Sequence, residues 1–194
     1  MRIILASNSP RRRELLAGLD IPFEVHVLKG VDESFPAHLQ GGEIPLYISR
    51  AKAEAYRSLL QPDDLLITAD TIVWLDGRLL EKPENEGDAR AMLHALSGCT
   101  HQVFTGVTVL TLEREESFVS ESHVTFAPLT DDEIDYYVSH YRPLDKAGAY
   151  GIQEWIGYIG VERIEGSFFN VMGLPVHRLY EVLKTFGVHS VHQS

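Results

Sequence analysis

The chain opens with an apolar run that changes into a helical pattern. Residues 3–6 are apolar and indicate a buried strand. Ser9 suits the N-cap of a following helix, and Pro10 suits its first position. The apolar face of that helix is supplied by Leu15, Leu16 and Leu19. The first elements are therefore predicted to be a strand that leads directly into a helix.

The rest of the chain alternates between the two patterns, which predicts an α/β fold. Helical spacing and caps predict helices over residues 43–60, 85–96, 130–141 and 174–186. Apolar or alternating runs predict strands at 65–69, 72–75, 78–80, 100–112, 118–126 and 156–164. The two long runs at 100–112 and 118–126 indicate an antiparallel hairpin, and the residues from His189 to the end, His192 included, indicate a frayed tail.

The first helical turn carries Arg11, Arg12 and Arg13, although cations are disfavoured at a helix N-terminus. A bound anion would resolve this conflict, because free N–H groups, guanidinium groups and the Ser9 hydroxyl together suit a phosphate. An exposed basic turn is the simpler interpretation. The order of strand, Ser-x-Ser-Pro and Arg-Arg favours the anion site.

Three further charged residues are candidates for chemistry. Asp70 ends a buried strand, where ligand sites of α/β proteins gather, and is a candidate base or metal ligand. Lys52 lies beside the apolar stripe Ile48, Ala51, Ala55 and Leu59, so it either snorkels past the core or reaches a phosphate, and spacing leaves both open. Glu33 lies in a polar loop, where a solvated acid is the commoner interpretation.

Two segments supply the remaining candidates. Lys82 follows a short hairpin that turns at residues 76–77 and returns the chain towards Asp70. Residues 146–153 begin with Lys146 and end with Gln153, and their two glycines allow close approach to a ligand.

Composition limits the classes of function. The net charge of −11 would repel a nucleic-acid polymer, so a phosphate site must be local. A single cysteine, Cys99, allows neither an internal disulfide nor a cysteine-based zinc site. No long apolar stretch predicts a membrane span, and Met1-Arg2-Ile3 is not typical of a signal peptide, so a soluble cytoplasmic protein is expected. We predict one domain over residues 1–194.

Five motifs in order resemble the Maf-type nucleoside triphosphate pyrophosphatases over essentially the whole chain. They are LASNSPRR at 5–12, ADT at 69–71, EKP at 81–83, DKAGAYGIQ at 145–153 and GLP at 173–175. The resemblance implies a long, bent, mixed sheet flanked by helices, with two lobes and a central cleft, as in inosine triphosphate pyrophosphatases. It also implies a homodimer.

The same resemblance implies hydrolysis of a nucleoside triphosphate between its α- and β-phosphates. Asp70 corresponds to the general base, and Glu33 and Lys82 to further catalytic groups. Glu33 and Asp70 also correspond to ligands of Mg²⁺ or Mn²⁺. The residues implied to bind substrate are Ser9, Arg11, Arg12, Lys52, Thr71, Lys146 and Gln153. No P-loop motif is present, so the chain is not a P-loop NTPase.

The resemblance also distinguishes two branches of the family. Arg11, Thr71 and Gln153 match the branch that acts on dTTP and UTP, whereas the 7-methyl-GTP branch tends to have Trp, Gln and Glu there. Gln153 offers a donor and an acceptor, which suits the O4 and N3–H edge of uracil or thymine. Phe168 departs from the family pattern, since many relatives have Tyr at that position.

Two other functions stay open at this stage. A nucleotidyltransferase could use the same opening motif, but it would release pyrophosphate only with a second substrate. A non-catalytic regulator of septum formation would not need the base Asp70.

Overall fold

The computed structural model describes residues 1–190 and confirms the mixed α/β class. Its helices are α1 (Pro10–Ala17), α2 (Glu43–Tyr56), α3 (Glu86–Leu96), α4 (Asp131–Tyr141), α5 (Trp155–Gly160), α6 (Phe168–Met172) and α7 (Val176–Thr185), with 3-10 turns at Arg57–Leu59 and Ala147–Ala149. Its strands are β1 (Arg2–Leu5), β2 (Glu24–Val25), β3 (Asp64–Leu75), β4 (Arg78–Leu80), β5 (Thr100–Leu110), β6 (Glu115–Phe126) and β7 (Val161–Glu165). No helix among these residues is both long and apolar enough to cross a membrane.

The described strands form a seven-stranded mixed sheet. The order is β2-β1-β3-β5-β6-β7, and β4 pairs with β3. β1 is parallel to both β2 and β3, whereas β4 is antiparallel to β3 and β7 is antiparallel to β6. β5 and β6 are neighbours joined by a turn in which Thr111 N donates to Arg114 O at 2.8 Å, so the predicted long hairpin is confirmed.

The chain divides into two compact units. The first contains residues 1–70, 105–120 and the described residues from Gly173 onward, and the second contains residues 71–104 and 121–172. The boundaries fall inside β3 and β5 and within β6, so these strands contribute residues to both units. Asp70 and Thr71, neighbours in sequence, therefore belong to different units.

The core of the first unit joins α2 to the parallel strands. Ile4 of β1 lies beside Leu66 of β3 in register, and both pack against Ala53 and Tyr56 of α2. A Cβ at Gly106 of β5 would collide with the backbone of the first turn of α2. Only glycine therefore allows this close approach of helix and strand.

The core of the second unit packs α3 and α4 with aromatic residues. Tyr137 of α4 and Phe126 of β6 are fully buried. His101 is also buried, and its ring lies edge-on to Phe126 and Tyr150, with centroids 5.2 and 5.4 Å away.

Two local predictions are wrong, and one short helix was not predicted. Residues 156–164 were expected to form a strand, but α5 occupies the first half and β7 only the second. Gly157 explains the difference, because it lets a helical turn lie against the Ile152 carbonyl where any Cβ would collide.

The predicted buried stripe of α2 is also partly wrong. Leu59 is 54% exposed and Ala55 is exposed, because the regular helix ends at Tyr56 and the buried face passes through Ala53. The short helix α6 was not predicted, and the predicted tail at His192 lies outside the described residues.

Candidate active site

The carboxyl end of the buried part of β3 carries an acid held by a lysine. Asp70 follows five fully or nearly buried residues, and its side chain is 15% exposed. Lys52 of α2 places Nζ 3.0 Å from Asp70 Oδ1 and 3.2 Å from Glu33 Oε1. We name these three residues the strand-end cluster. The ammonium group of Lys52 contacts two carboxylates and does not extend past the core into solvent, so it does not snorkel. Its contact with a phosphate stays a prediction.

Hydrogen bonds fix α2 against β3 beside this cluster. Thr68 Oγ1, two residues before Asp70, donates to the carbonyl of Ser49 at 2.7 Å. Ser49 Oγ lies 3.0 Å from Thr108 Oγ1 on β5, and all three side chains are buried. Since Lys52 lies one turn of helix after Ser49, these bonds determine where its ammonium group lies.

The first turn of α1 is ordered by its own polar groups. Ser9 is the N-cap and its hydroxyl accepts from Arg12 N at 3.3 Å, as predicted. Arg12 donates through Nη1 to the Ala69 carbonyl at 3.0 Å and through Nε to the Gly173 carbonyl at 2.8 Å. Burial lowers the pKa of Arg12, and the charge of Asp70 opposes this shift. Arg12 therefore ties α1 to the residue before Asp70, a structural role that the sequence did not predict.

The other two arginines of this turn differ in exposure. Arg11 is half-buried, whereas Arg13 is exposed. Binding of phosphate by Ser9, Arg11 and Arg12 stays a prediction.

The strand-end cluster has the donor set for a cation that arrives with phosphate. Asp70 and Glu33 converge on one ammonium group, so their carboxylates face a common point. No group of three or more His, Cys, Asp or Glu that could hold a metal occurs within residues 1–190. Mg²⁺ commonly binds one or two carboxylates and completes its shell with water and substrate phosphates. These two acids therefore fit Mg²⁺ or Mn²⁺ that is shared with a nucleotide.

In the second unit, the glycine-rich segment holds a second lysine between two acids. Lys146 Nζ lies 2.9 Å from Glu154 Oε1 and 2.9 Å from Asp145 Oδ1. Glu154 Oε2 also accepts from the buried hydroxyl of Tyr137 at 3.3 Å, and that hydroxyl accepts from Gly151 N at 3.0 Å. Burial, followed by the charge of Glu154, raises the pKa of Tyr137, which stays protonated.

Gln153 lies directly before Glu154 in this segment. Its Oε1 is buried, and no donor among residues 1–190 reaches it. We name Tyr137, Lys146, Gln153 and Glu154 the glycine-loop cluster. An unpaired buried acceptor is costly, so this oxygen is suited to accept a hydrogen bond from a ligand.

The sequence pattern indicates no functional role for Glu154 or Tyr137. Tyr137 has the spacing of a core residue on α4, and Glu154 is one acid among many. The only available indication was an acid within a glycine-rich segment that already held Lys146.

The remaining predicted site residues also lie in the second unit. Lys82 is exposed after β4, and its neighbour Glu81 accepts a backbone hydrogen bond from Gly148 at 3.1 Å, which joins the hairpin to the glycine-rich segment. Thr71 is half-buried on β3. Phe168 is 40% exposed on α6.

Two solved structures match this chain along nearly its full length at low sequence identity. The Ham1 protein of Staphylococcus aureus matches with a TM-score of 0.49 and 15% identity over 96% of this chain and 100% of that chain. A nucleoside-triphosphatase described as a dITP/XTP pyrophosphatase, from Mycobacterium abscessus, has a TM-score of 0.43 and 18% identity over 96% of this chain and 98% of that chain.

The sequence matches define the family. The model of the Maf-like protein family matches residues 2–186, so this chain belongs to that family. A dTTP/UTP pyrophosphatase of Phocaeicola vulgatus is 62% identical over 94% of this chain and 95% of its own length. One of Porphyromonas gingivalis, with the same name, is 57% identical over 96% of this chain and 94% of its own length.

Proposed function

We propose that this chain is a nucleoside triphosphate pyrophosphatase that hydrolyses dTTP and UTP to the monophosphate and pyrophosphate. The observation that carries the proposal is the contact of Lys52 with Asp70 and Glu33 at the end of a buried strand segment. The chain's relatives named dTTP/UTP pyrophosphatase, 57–62% identical over nearly its full length, support the choice of substrate.

Asp70 is the proposed general base. Its carboxylate takes a proton from the attacking water as the water oxygen bonds to phosphorus. The bond to the oxygen that bridges the α- and β-phosphates breaks, and pyrophosphate leaves. Lys52, whose ammonium group lies 3.0 Å from Asp70 Oδ1, is proposed to stabilise negative charge on a phosphate oxygen. On the basis of the family resemblance, Lys82 is proposed as a further catalytic group.

Glu33 and Asp70 would hold a divalent cation, Mg²⁺ or Mn²⁺, in contact with the polyphosphate. When bound, the cation would neutralise charge that develops on the phosphate oxygens. Lys52 touches both carboxylates, so its ammonium group must share them with the cation or move aside.

Gln153 is the proposed reader of the base. Its buried, unpaired Oε1 would accept from N3–H of uracil or thymine, and its amide nitrogen would donate to O4. A purine or cytosine would leave these polar atoms incorrectly paired, which is an effective basis for discrimination. Arg11 and Thr71 are proposed to contribute to the same choice.

Pyrophosphate release tests the proposal directly. The purified chain is incubated with dTTP, UTP, CTP, GTP, ATP and 7-methyl-GTP, each with Mg²⁺, with Mn²⁺ or with a chelator. We expect faster release from dTTP and UTP than from CTP and the purine nucleotides, dependent on the cation. Better turnover of 7-methyl-GTP would overturn the substrate assignment. Release only with a second substrate would indicate a nucleotidyltransferase, and no release would indicate a non-catalytic protein.

We also propose a homodimer in the cytoplasm, on the basis of the family resemblance. Sedimentation at micromolar concentration tests the first part, with a monomer as the contradicting result. Fractionation of the producing cells tests the second.

A further inference from the structure

We propose that Glu154 is a positioning residue that fixes the ammonium group of Lys146 for a phosphate, while Asp145 occupies the same ammonium group until the phosphate replaces it. This inference rests on the proposed function, because it assigns Lys146 to the substrate's phosphates. It concerns the contact between Glu154 and Lys146, which neither the family resemblance nor the proposed role of Asp70 predicts.

The two acids make contacts of equal length but differ in burial. Both carboxylates lie 2.9 Å from Lys146 Nζ, yet Glu154 is 18% exposed and Asp145 is 64% exposed. Exposed ion pairs contribute little and exchange readily with solvent, whereas a largely buried pair is held in one geometry. A phosphate that approaches from solvent therefore displaces the Asp145 contact first.

Glu154 has a second contact, with the core of its unit. Its Oε2 accepts from Tyr137 OH, and Tyr137 is fully buried in the core of its unit. The same hydroxyl accepts from Gly151 N, so the carboxylate is connected to α4 and to the backbone of its own segment. Asp145 is adjacent in sequence to Lys146 and lies on the exposed side of the segment.

The backbone at Gly151 is adapted to this ion pair. A Cβ at Gly151 would lie 2.5 Å from Glu154 Oε1 and 3.0 Å from Lys146 Cε. Any other residue at position 151 would therefore push the carboxylate or the lysine stem aside. The glycine serves the Lys146–Glu154 contact, in addition to the close approach that the sequence suggested.

Two possible roles of Glu154, neutralising the charge of Lys146 or fixing its position, predict opposite effects of its removal. If Glu154 only neutralised Lys146, its removal would strengthen phosphate binding. If Glu154 positions Lys146, its removal lets the ammonium group move and weakens binding. Glu154→Asp keeps the charge and withdraws the carboxylate by one methylene, whereas Glu154→Gln removes the charge and keeps an acceptor in place.

The experiment measures the affinity of inorganic pyrophosphate by calorimetry and the KM and kcat for UTP in four variants. We expect Glu154→Ala and Glu154→Asp to raise the pyrophosphate Kd and the KM about tenfold, with kcat changed less than about threefold. Glu154→Gln should recover most of the affinity. Asp145→Asn, the matched control on the same lysine, should bind pyrophosphate as tightly as the unmodified chain or slightly more tightly.

Unfolding temperatures identify variants that fail to fold. If Glu154→Ala does not fold, the affinities of Glu154→Asp and Glu154→Gln are sufficient to test the inference. Equal losses for Asp145→Asn and Glu154→Asp, or tighter binding in Glu154→Asp, would overturn the inference. An unmodified chain that binds pyrophosphate but hydrolyses no nucleotide would refute the proposed function alone. If the unmodified chain hydrolyses UTP but Glu154→Asp and Glu154→Ala bind pyrophosphate with full affinity, only the inference is refuted. If the unmodified chain neither binds pyrophosphate nor hydrolyses UTP, both the proposed function and the inference are refuted.

Discussion

The strand-end cluster and the glycine-loop cluster contain the same ionic arrangement in different settings. In each, a lysine lies between a largely buried acid and an exposed one: Lys52 between Asp70 and Glu33, and Lys146 between Glu154 and Asp145. The buried acid of the glycine-loop cluster is also held by a core tyrosine. Asp70 instead ends a buried strand segment beside a half-buried guanidinium. An acid held from two sides is suited to position a neighbour, and an acid at a strand end is suited to accept a proton.

The largest effect on kcat is expected at Asp70 of the strand-end cluster. Asp70→Asn keeps the size of the side chain and removes the base, so kcat should fall about 10²–10⁴-fold. Steady-state pyrophosphate release measures the loss. Asp76→Asn is the matched control, because Asp76 lies in the exposed turn after the same strand at a φ of 48°, which Asn tolerates. A mutant at position 70 with nearly unchanged kcat would remove Asp70 from the mechanism.

Much of the first unit could be predicted because its determinants are local. Ser9 and Pro10 begin α1, the apolar run of β3 ends at Asp70, and each feature is visible within a few residues. The contact between Lys52 and Asp70 could not be derived from spacing alone. It depends on how α2 packs against β3, and that packing is determined by Gly106 and by the bond from Thr68 to Ser49.

Arg12 is expected to have the second largest effect, and it acts on stability as well as activity. Arg12→Ala removes the two hydrogen bonds that Arg12 donates to the carbonyls of Ala69 and Gly173, which should cost about 2–4 kcal/mol of unfolding free energy. Urea denaturation measures this loss. Arg13→Ala is the control, since Arg13 is exposed and its removal should cost less than about 0.5 kcal/mol. Equal losses at the two positions would refute the structural role of Arg12.

The second unit was harder to predict because its polar residues act through the core. Tyr137 has apolar spacing, and neither Glu154 nor His101 has a distinguishing pattern. Their partners lie 17 and 49 residues away in sequence, for Tyr137 with Glu154 and for His101 with Tyr150. Such pairs are determined by tertiary packing, and neither periodicity nor a local motif indicates them.

His101 gives the next prediction, which concerns stability against pH. Burial lowers the pKa of His101 from 6.5 to about 4, and Nδ1 has no partner within residues 1–190. The unfolded chain therefore takes up a proton near pH 6.5 that the folded chain refuses until about pH 4. The stability contributed by neutral His101 is complete above pH 6.5 and is lost between these values, by up to about 3 kcal/mol.

The carboxylates of the chain also titrate in part of this range, so the test is a difference. The free energy of unfolding is measured at pH 7 and pH 4.5 for the unmodified chain and for His101→Gln, which does not titrate. The unmodified chain should lose about 2–3 kcal/mol more than the variant. Equal losses would show that His101 does not carry this dependence.

The smallest effect is expected at Gln153 of the glycine-loop cluster, because a substitution there changes the choice of nucleotide and leaves the proposed base Asp70 in place. Gln153→Glu replaces the amide donor by a carboxylate that repels O4 of uracil and thymine. The kcat/KM for UTP and dTTP should fall about tenfold to a hundredfold. CTP and 7-methyl-GTP, whose bases present amino donors, should lose less. An equal decrease for all nucleotides would mean that Gln153 does not contact the base.

Gln153→Met separates recognition from folding at the same position. It removes the buried, unpaired Oε1 together with the amide donor, while the length of the side chain is kept. Removal of an unsatisfied acceptor should leave the unfolding temperature unchanged or raise it, since Oε1 has no hydrogen-bond partner among residues 1–190. The preference for UTP and dTTP over CTP should nevertheless decline. A lower unfolding temperature with unchanged selectivity would show that Gln153 serves the fold and not the base, and the proposed reader would then have to be Arg11 or Thr71.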